Sequence, residues 1–282
     1  MKTNGSGLFF GVGSGRCGTM ALANALNSEK SVLALHEGKV RKGEESGDQE
    51  LPFLTLQNFQ AYCDPGSALP LFVKTRGDME AIADRLEKRF VGDIAYNYAP
   101  FVSAIRELYP ESKLIFIYRN GRDFVRSAYT KESPDPTPVG WLDSDRKLDG
   151  VERYIALGRL RPSEKDPLAA SWPSLSPIAK NAWLWSETNR IAMKSIRDWP
   201  KQSVYWLKYE DFFSDPIIGY ESLRQFLGFD WSVSSETLAV FDRKINARKN
   251  SAQLGWDEWS KEDQEAFDRF AGAGMKALGY DG

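Results

Sequence analysis

Residues Leu8 to Leu26 read LFFGVGSGRCGTMALANAL: a short apolar run, a glycine-rich turn, then a segment of helical periodicity. A buried strand that feeds a helix through such a turn begins an α/β chain. It also leaves the unpaired N–H groups of the helix start where a phosphate can be held. Gly13-Ser14-Gly15-Arg16-Cys17-Gly18-Thr19 has the glycine spacing of an ATP-binding loop, G-x-x-x-x-G-K-[ST], but Thr19 stands where the phosphate-binding lysine belongs. Gly13, Gly15 and Gly18 also fit G-x-G-x-x-G loosely. No acidic residue ends the second strand at Leu35 in the usual way, although Glu37 is close. On the loop alone, an anion site reinforced by Arg16 and a plain tight turn with an exposed arginine stand level.

The rest of the chain extends the pattern. Apolar runs at Ser31–Leu35, Leu69–Lys74, Lys113–Tyr118 and Ser203–Leu207 read as strands. Helical patterns fall between them at Asp78–Phe90, Tyr98–Leu108, Gly121–Tyr129, Ile178–Arg197 and Pro216–Leu227. This alternation predicts an α/β fold with a central, mostly parallel sheet flanked by helices, and ligands at the carboxyl ends of its strands. With 282 residues, 42% of them hydrophobic, the chain suits a single domain over 1–282. Between Ser133 and Pro177 the texture changes: seven prolines accompany Trp141 and Trp172. This proline-rich insertion, 133–177, is expected to be a lid over the substrate, with a surface insertion as the alternative.

Composition removes several classes of function. Cys17 lies inside the loop and Cys63 is the only other cysteine, which argues against a structural disulfide and for a reducing compartment. A single histidine, His36, rules out a clustered Cys/His metal site. The 37 basic and 39 acidic residues give a net charge of −2, so no global field favours nucleic acid; a local cationic pocket stays compatible with that balance. No stretch approaches ~18 consecutive apolar residues, and the first residues lack a signal-peptide core. The expectation is a soluble, cytoplasmic protein without a transmembrane segment. Its oligomeric state is not legible.

Three further stretches follow the loop. The run Lys113-Leu-Ile-Phe-Ile-Tyr118 ends at Arg119, and Ser127 lies eight residues on. Tyr209-Glu-Asp-Phe-Phe-Ser-Asp215-Pro216 joins a strand to a helix, and Arg248-Lys249 lies near the C-terminus. Together these resemble the sulfotransferase family, whose members use 3′-phosphoadenosine 5′-phosphosulfate (PAPS). Arg16-Cys-Gly-Thr-Met20 is similar to the family's 5′-phosphosulfate loop, and Arg119 with Ser127 to its 3′-phosphate site. Tyr209-Glu-Asp…Asp215-Pro216 is similar to its Y-E-D-x-x-x-D-P segment, and Arg248-Lys249 falls where cytosolic members close over the 3′-phosphate. The resemblance runs from about Leu8 to Leu278, with the insertion unmatched.

What the resemblance implies is a P-loop-like sulfotransferase fold and a metal-independent enzyme that leaves 3′,5′-ADP as product. The cofactor-binding residues would be Gly13, Ser14, Gly15, Arg16, Cys17, Gly18, Thr19, Met20, Arg119, Ser127, Arg248 and Lys249. Lys131, four residues past Ser127, matches a further cation of the tyrosylprotein enzymes. The acceptor, a small molecule or carbohydrate, must lose a proton as it attacks, a task worth roughly 10²–10⁴-fold. Cytosolic members place a histidine after a strand in K-T-H; the corresponding run here, Phe72-Val-Lys-Thr-Arg76, ends in an arginine that cannot act as a base. Tyrosylprotein and heparan-type members instead carry a glutamate after the second strand. Glu37, eighteen residues past Thr19, is therefore the expected base and His36 the second candidate. Lys74 and Arg76 could steady the sulfonate or serve as ordinary surface cations. The tyrosylprotein enzymes' lysine before the helix that precedes the KLIFIY strand has no counterpart, since Ile94-Ala-Tyr-Asn97 stands there. Two other readings stay open: an adenosine-bisphosphate-binding module without transfer activity, and an unusual P-loop kinase.

Overall fold

The strand Gly7–Gly13 (β1) is buried along nearly its whole length, because both of its faces are covered. Its side chains alternate between two cores: Leu8, Phe10 and Val12 enter one, Phe9 the other. The computed structural model describes residues 7–42, 45–128, 140–141, 157–241 and 255–280. In chain order β1 is followed by α1 (Thr19–Asn27), β2 (Val32–His36), β3 (Lys39–Lys42), β4 (Glu45–Gln49), α2 (Thr55–Cys63), α3 (Ala68–Arg76) and α4 (Met79–Arg85). Next come β5 (Phe90–Ala95), α5 (Val102–Leu108), β6 (Lys113–Tyr118), α6 (Gly121–Ala128) and α7 (Pro177–Ile196). β7 (Val204–Lys208), α8 (Tyr209–Ser214), α9 (Pro216–Leu227), α10 (Ser235–Ala239) and α11 (Lys261–Ala277) complete the order.

The seven strands form one sheet in the order β4-β3-β2-β5-β1-β6-β7. β2, β5, β1, β6 and β7 are mutually parallel, whereas β3 and β4 add an antiparallel hairpin at one edge. The α/β, mostly parallel architecture is therefore as expected. The hairpin was not foreseen.

Three assignments are corrected. Leu69–Lys74, expected as a strand, lies in helix α3. Phe72, Thr75 and Arg76 are buried there while Val73 and Lys74 are exposed, a helical rather than an alternating division. The strand beside β1 is instead β5, whose first residue, Phe90, closes the run expected as the helix Asp78–Phe90. Helix α4 stops at Arg85. The helix expected from Tyr98 starts as a 3₁₀ segment, Tyr96–Phe101, and becomes α-helical at Val102, just past Pro100.

Of the insertion 133–177, residues 140–141 and 157–177 are described. Trp141 meets Trp172 edge-on with ring centres 5.4 Å apart, and Trp172 meets Trp183 at 5.2 Å. Trp185, two residues further on, is fully buried in the core.

Candidate functional site

Five parallel strands end on one side of the sheet, so the segments beginning at Ser14, Glu37, Tyr96, Arg119 and Tyr209 converge there. The glycine loop needs its glycines for different reasons. At Gly13 a Cβ would sit 2.5 Å from the Ile117 carbonyl oxygen and 2.8 Å from Cys17 Sγ. Gly18, at φ 82°, precedes helix α1 in the left-handed region, and a Cβ there would meet the Phe213 ring at 2.5 Å. No side chain caps the start of α1, which leaves its first N–H groups directed at the loop.

Arg16 is not a glycine, yet its φ is 52°. That conformation costs about 1–3 kcal/mol and persists only where neighbours hold it. Here they come from two other elements. Arg16 Nε donates to Ser127 Oγ at 2.9 Å from α6, and the Arg16 carbonyl accepts from Arg119 NH1 at 2.7 Å from the end of β6. Beneath the loop Cys17 is fully buried. Burial pushes its thiol up to about 11, against the opposing pull of Arg119 and Arg16.

Arg119 is itself tied down. Its carbonyl accepts from Trp185 Nε1 at 3.0 Å, and its guanidinium lies 4.5 Å from the centre of the Tyr209 ring. Arg119 Nε is buried without a hydrogen-bond partner among the described residues. Next to it the Asn120 N–H donates to Glu210 Oε1 at 2.8 Å, and the Tyr280 hydroxyl donates to Glu210 Oε2 at 2.6 Å. The Tyr209-Glu210 segment thus joins the end of β7 to the end of β6. Burial, reinforced by Glu210, raises the pKa of the Tyr280 phenol.

His36 and Glu37 end β2. His36 is buried, and its Nε2 lies 3.1 Å from Thr19 Oγ1, which links the second strand to the first turn of α1. Glu37 is half-buried at φ 57°, followed by Gly38 at φ 80°. This turn is pinned from β5: the Glu37 N–H donates to the Ile94 carbonyl at 3.3 Å and the Gly38 N–H to Asp93 Oδ1 at 3.1 Å.

Asp93 and Arg76 are both fully buried and form an ion pair at 2.9 Å between Nε and Oδ2. The Tyr98 hydroxyl donates to Asp93 at 2.5 Å and accepts from Arg76 at 2.6 Å. Arg76 is thereby committed to the core; it neither faces a transferring group nor serves as a surface cation, which corrects both of its expected roles. Lys74 is exposed on α3.

Tyr96 follows β5 beside Glu37. Its phenol is raised by burial and by the Glu37 carboxylate, and lowered by Arg159. Ser14, Tyr96, Arg159, Asn58 and Thr188 line a cavity of about 10 Å³, roughly one water in size. Arg159 is buried and stacks 4.8 Å from the Trp141 ring; Arg161 stacks 3.6 Å from Phe59.

The structure thus brings Gly13, Ser14, Gly15, Arg16, Cys17, Gly18, Thr19, Met20, Arg119 and Ser127 to one end of the sheet, with His36 and Glu37 beside them. Lys131, Arg248 and Lys249 lie outside the described residues. Sequence reasoning missed Tyr96, Asn58 and the Arg76–Asp93–Tyr98 network. The lone aspartate inside FVGDIA was the available signal, since a buried carboxylate demands a partner. Among the described residues no helix is long and apolar enough to cross a membrane, and no three His, Cys, Asp or Glu side chains are grouped to hold a metal ion.

No family model matches the chain, and no curated protein matches its sequence. Solved structures do match it. The sulfotransferase domain from the curacin biosynthetic pathway aligns over 98% of this chain and 98% of its own, with a TM-score of 0.55 at 14% identity. Sulfotransferase STF1 from Mycobacterium tuberculosis H37Rv aligns over 95% of this chain and 77% of its own, with a TM-score of 0.53 at 14% identity. The chain has the sulfotransferase fold.

Proposed function

We propose that this chain is a single-domain sulfotransferase that transfers a sulfuryl group from PAPS to a hydroxyl or amine acceptor by in-line displacement. The observation that carries this reading is the meeting of Arg16, Arg119 and Ser127. Arg16 is joined at 2.7 and 2.9 Å to Arg119 and Ser127, both more than a hundred residues further along the chain, beside the uncapped start of a helix. Such a cluster of cations and N–H groups fits a ligand with more than one phosphate. The buried, unpartnered Arg119 Nε supplies a donor for it.

When bound, PAPS supplies the sulfuryl group and a 5′-phosphate leaving group. The loop N–H groups, Arg16 and Thr19 would hold the 5′ end, while Arg119 and Ser127, with Lys131, Arg248 and Lys249, would hold the 3′-phosphate. Arg16 with the loop N–H groups, rather than a metal, would bear on the charge that develops on the leaving oxygen. Glu37 would take the acceptor's proton; its half-buried place at the strand end supports this, with His36, which is hydrogen-bonded to Thr19, as the second candidate. The segment 133–177 would cover the acceptor.

Three measurements test the reading. Thermal stabilisation should be large with 3′,5′-ADP and small with 5′-AMP or Mg·ATP. Labelled sulfate should pass from PAPS to at least one member of a panel of phenols, sugars and amines; a binding module without activity would show the first effect and not the second. Glu37→Gln should lose nearly all turnover and keep 3′,5′-ADP binding. Unchanged turnover in that variant, with loss in His36→Ala, would reverse the two roles.

A further inference from the structure

A broad depression lies beside α7, apart from the residues of this site. It has a volume of about 980 Å³ and opens between the second half of α7, the edge strand β7 and helix α11. Helix α7 touches the nucleotide end of the sheet through Trp185; Ile196, at its far end, is about 16 Å further along the axis. Strand β7 likewise enters the depression at Val204 and reaches the site only at Lys208. The depression begins at Ser186, next to Trp185, and runs along α7 away from the site to Lys201.

The floor is apolar. Met193, Trp199 and Val204 line it, and Trp206 projects from the sheet edge with 48% of its surface exposed. Trp206 rests edge-on against Phe116 at 4.9 Å, so its position is set from within the core. Ala273, Gly274 and Ala277 of α11 form a low opposite wall that lets a second backbone come close.

The rim is cationic. Arg190, Lys194 and Arg197 recur on one face of α7, and Lys201 follows just beyond the helix. Glu187 neutralises Arg190 through two contacts of 2.6 Å. Lys194, Arg197 and Lys201 have no carboxylate partner among the described residues. In a chain of net charge −2, this local surplus is not a reflection of overall composition.

We propose that this groove is a docking surface for an acidic, amphipathic helix of a partner protein. The charges decide between occupants. Lys194, Arg197 and Lys201, the rim cations that no carboxylate neutralises, stand three and four residues apart, a spacing that matches carboxylates repeated at i, i+3 and i+7 along a facing helix. The apolar floor beside the stripe would take the leucine face of the same helix.

The test uses the whole chain and a fluorescein-labelled 18-residue helical peptide with glutamates on one face and leucines on the adjoining one. Fluorescence anisotropy should show binding that weakens at least tenfold in Lys194→Glu/Arg197→Glu. It should also weaken when glutamine replaces the glutamates, and again in Trp206→Ala. Stabilisation of these variants by 3′,5′-ADP should equal that of the wild type, which separates this proposal from the nucleotide reading. The proposal is overturned if the peptide fails to bind or binds the charge-reversal variant equally well. Tighter binding to phosphatidylserine vesicles than to the peptide would overturn it, as would sedimentation showing a dimer that Arg197→Glu dissociates.

Discussion

The buried Arg76–Asp93 pair offers a test in which the magnitude follows from geometry. Both side chains are wholly inaccessible. Besides Asp93 and Tyr98, Arg76 NH1 donates to the Pro52 carbonyl at 2.7 Å and to the Thr75 carbonyl at 2.9 Å. Burial alone would lower the pKa of Arg76, but Tyr98 and Asp93 outweigh it and the pKa is raised. Asp93→Asn keeps the shape and removes the compensating charge, leaving a guanidinium in the core. The expected loss is about 3–5 kcal/mol. Arg76→Met strands the carboxylate and should cost a similar amount. With a typical domain stability of about 5–15 kcal/mol, either variant forfeits a large fraction of the whole.

The double variant should lose far less than the sum, with a coupling of at least about 2 kcal/mol, because no lone charge remains. Urea unfolding followed by tryptophan fluorescence would measure all four proteins, with equal slopes required before midpoints are compared. Costs that add to within about 0.5 kcal/mol would refute the reasoning. So would either single variant losing under about 1 kcal/mol.

Other expectations concern the loop and its surroundings. Arg16→Ala should lower the transfer rate by about 10²–10³-fold, in line with removal of a preorganised charge donor, as read in a labelled-sulfate assay. Gly18→Ala should weaken 3′,5′-ADP binding and lower Tm, since it combines a left-handed backbone with a clash against Phe213. At pH 8 iodoacetamide should modify exposed Cys63 and spare Cys17, as read by mass spectrometry; rapid labelling of folded Cys17 would contradict its raised pKa. The same shift predicts a pH effect. The folded thiol titrates near 11 and the unfolded one near 9, so above pH 9 the unfolded state binds fewer protons. Stability present below pH 9 should fall by roughly 2–3 kcal/mol by pH 11, and Cys17→Ala should lack that part of the decline.

Much of the glycine-loop end of the sheet was legible in local pattern. β1, α1 and β6 carry long apolar runs or a glycine turn: β1 and α1 fall within one residue of the ends of the run Leu8–Leu26, and β6 covers Lys113–Tyr118 as expected. The order of motifs along the chain then placed Arg119 and Ser127 beside the loop. β5 escaped notice because Gly92 and Asp93 interrupt its apolar run, and only a partner seventeen residues upstream makes that aspartate tolerable in a core. Leu69–Lys74 misled for the complementary reason. A short apolar run fits strand and helix alike, and the tertiary partners of Arg76 and Phe72 decide between them. Tyr96 and Asn58 belong to no periodic signal. They meet Ser14 only because α2 and β5 are brought to the same strand ends.

The double tether on Arg16 bears on any attempt at grafting. A peptide or chimera containing only residues 8–26 would keep every glycine of the turn and lose the β6 and α6 donors and acceptors that hold its arginine left-handed. Freed of them, Arg16 should relax to ordinary negative φ and the concave N–H surface should open. The transplantable unit is therefore the loop with two remote segments, and a minimal anion receptor copied from this protein would have to carry all three.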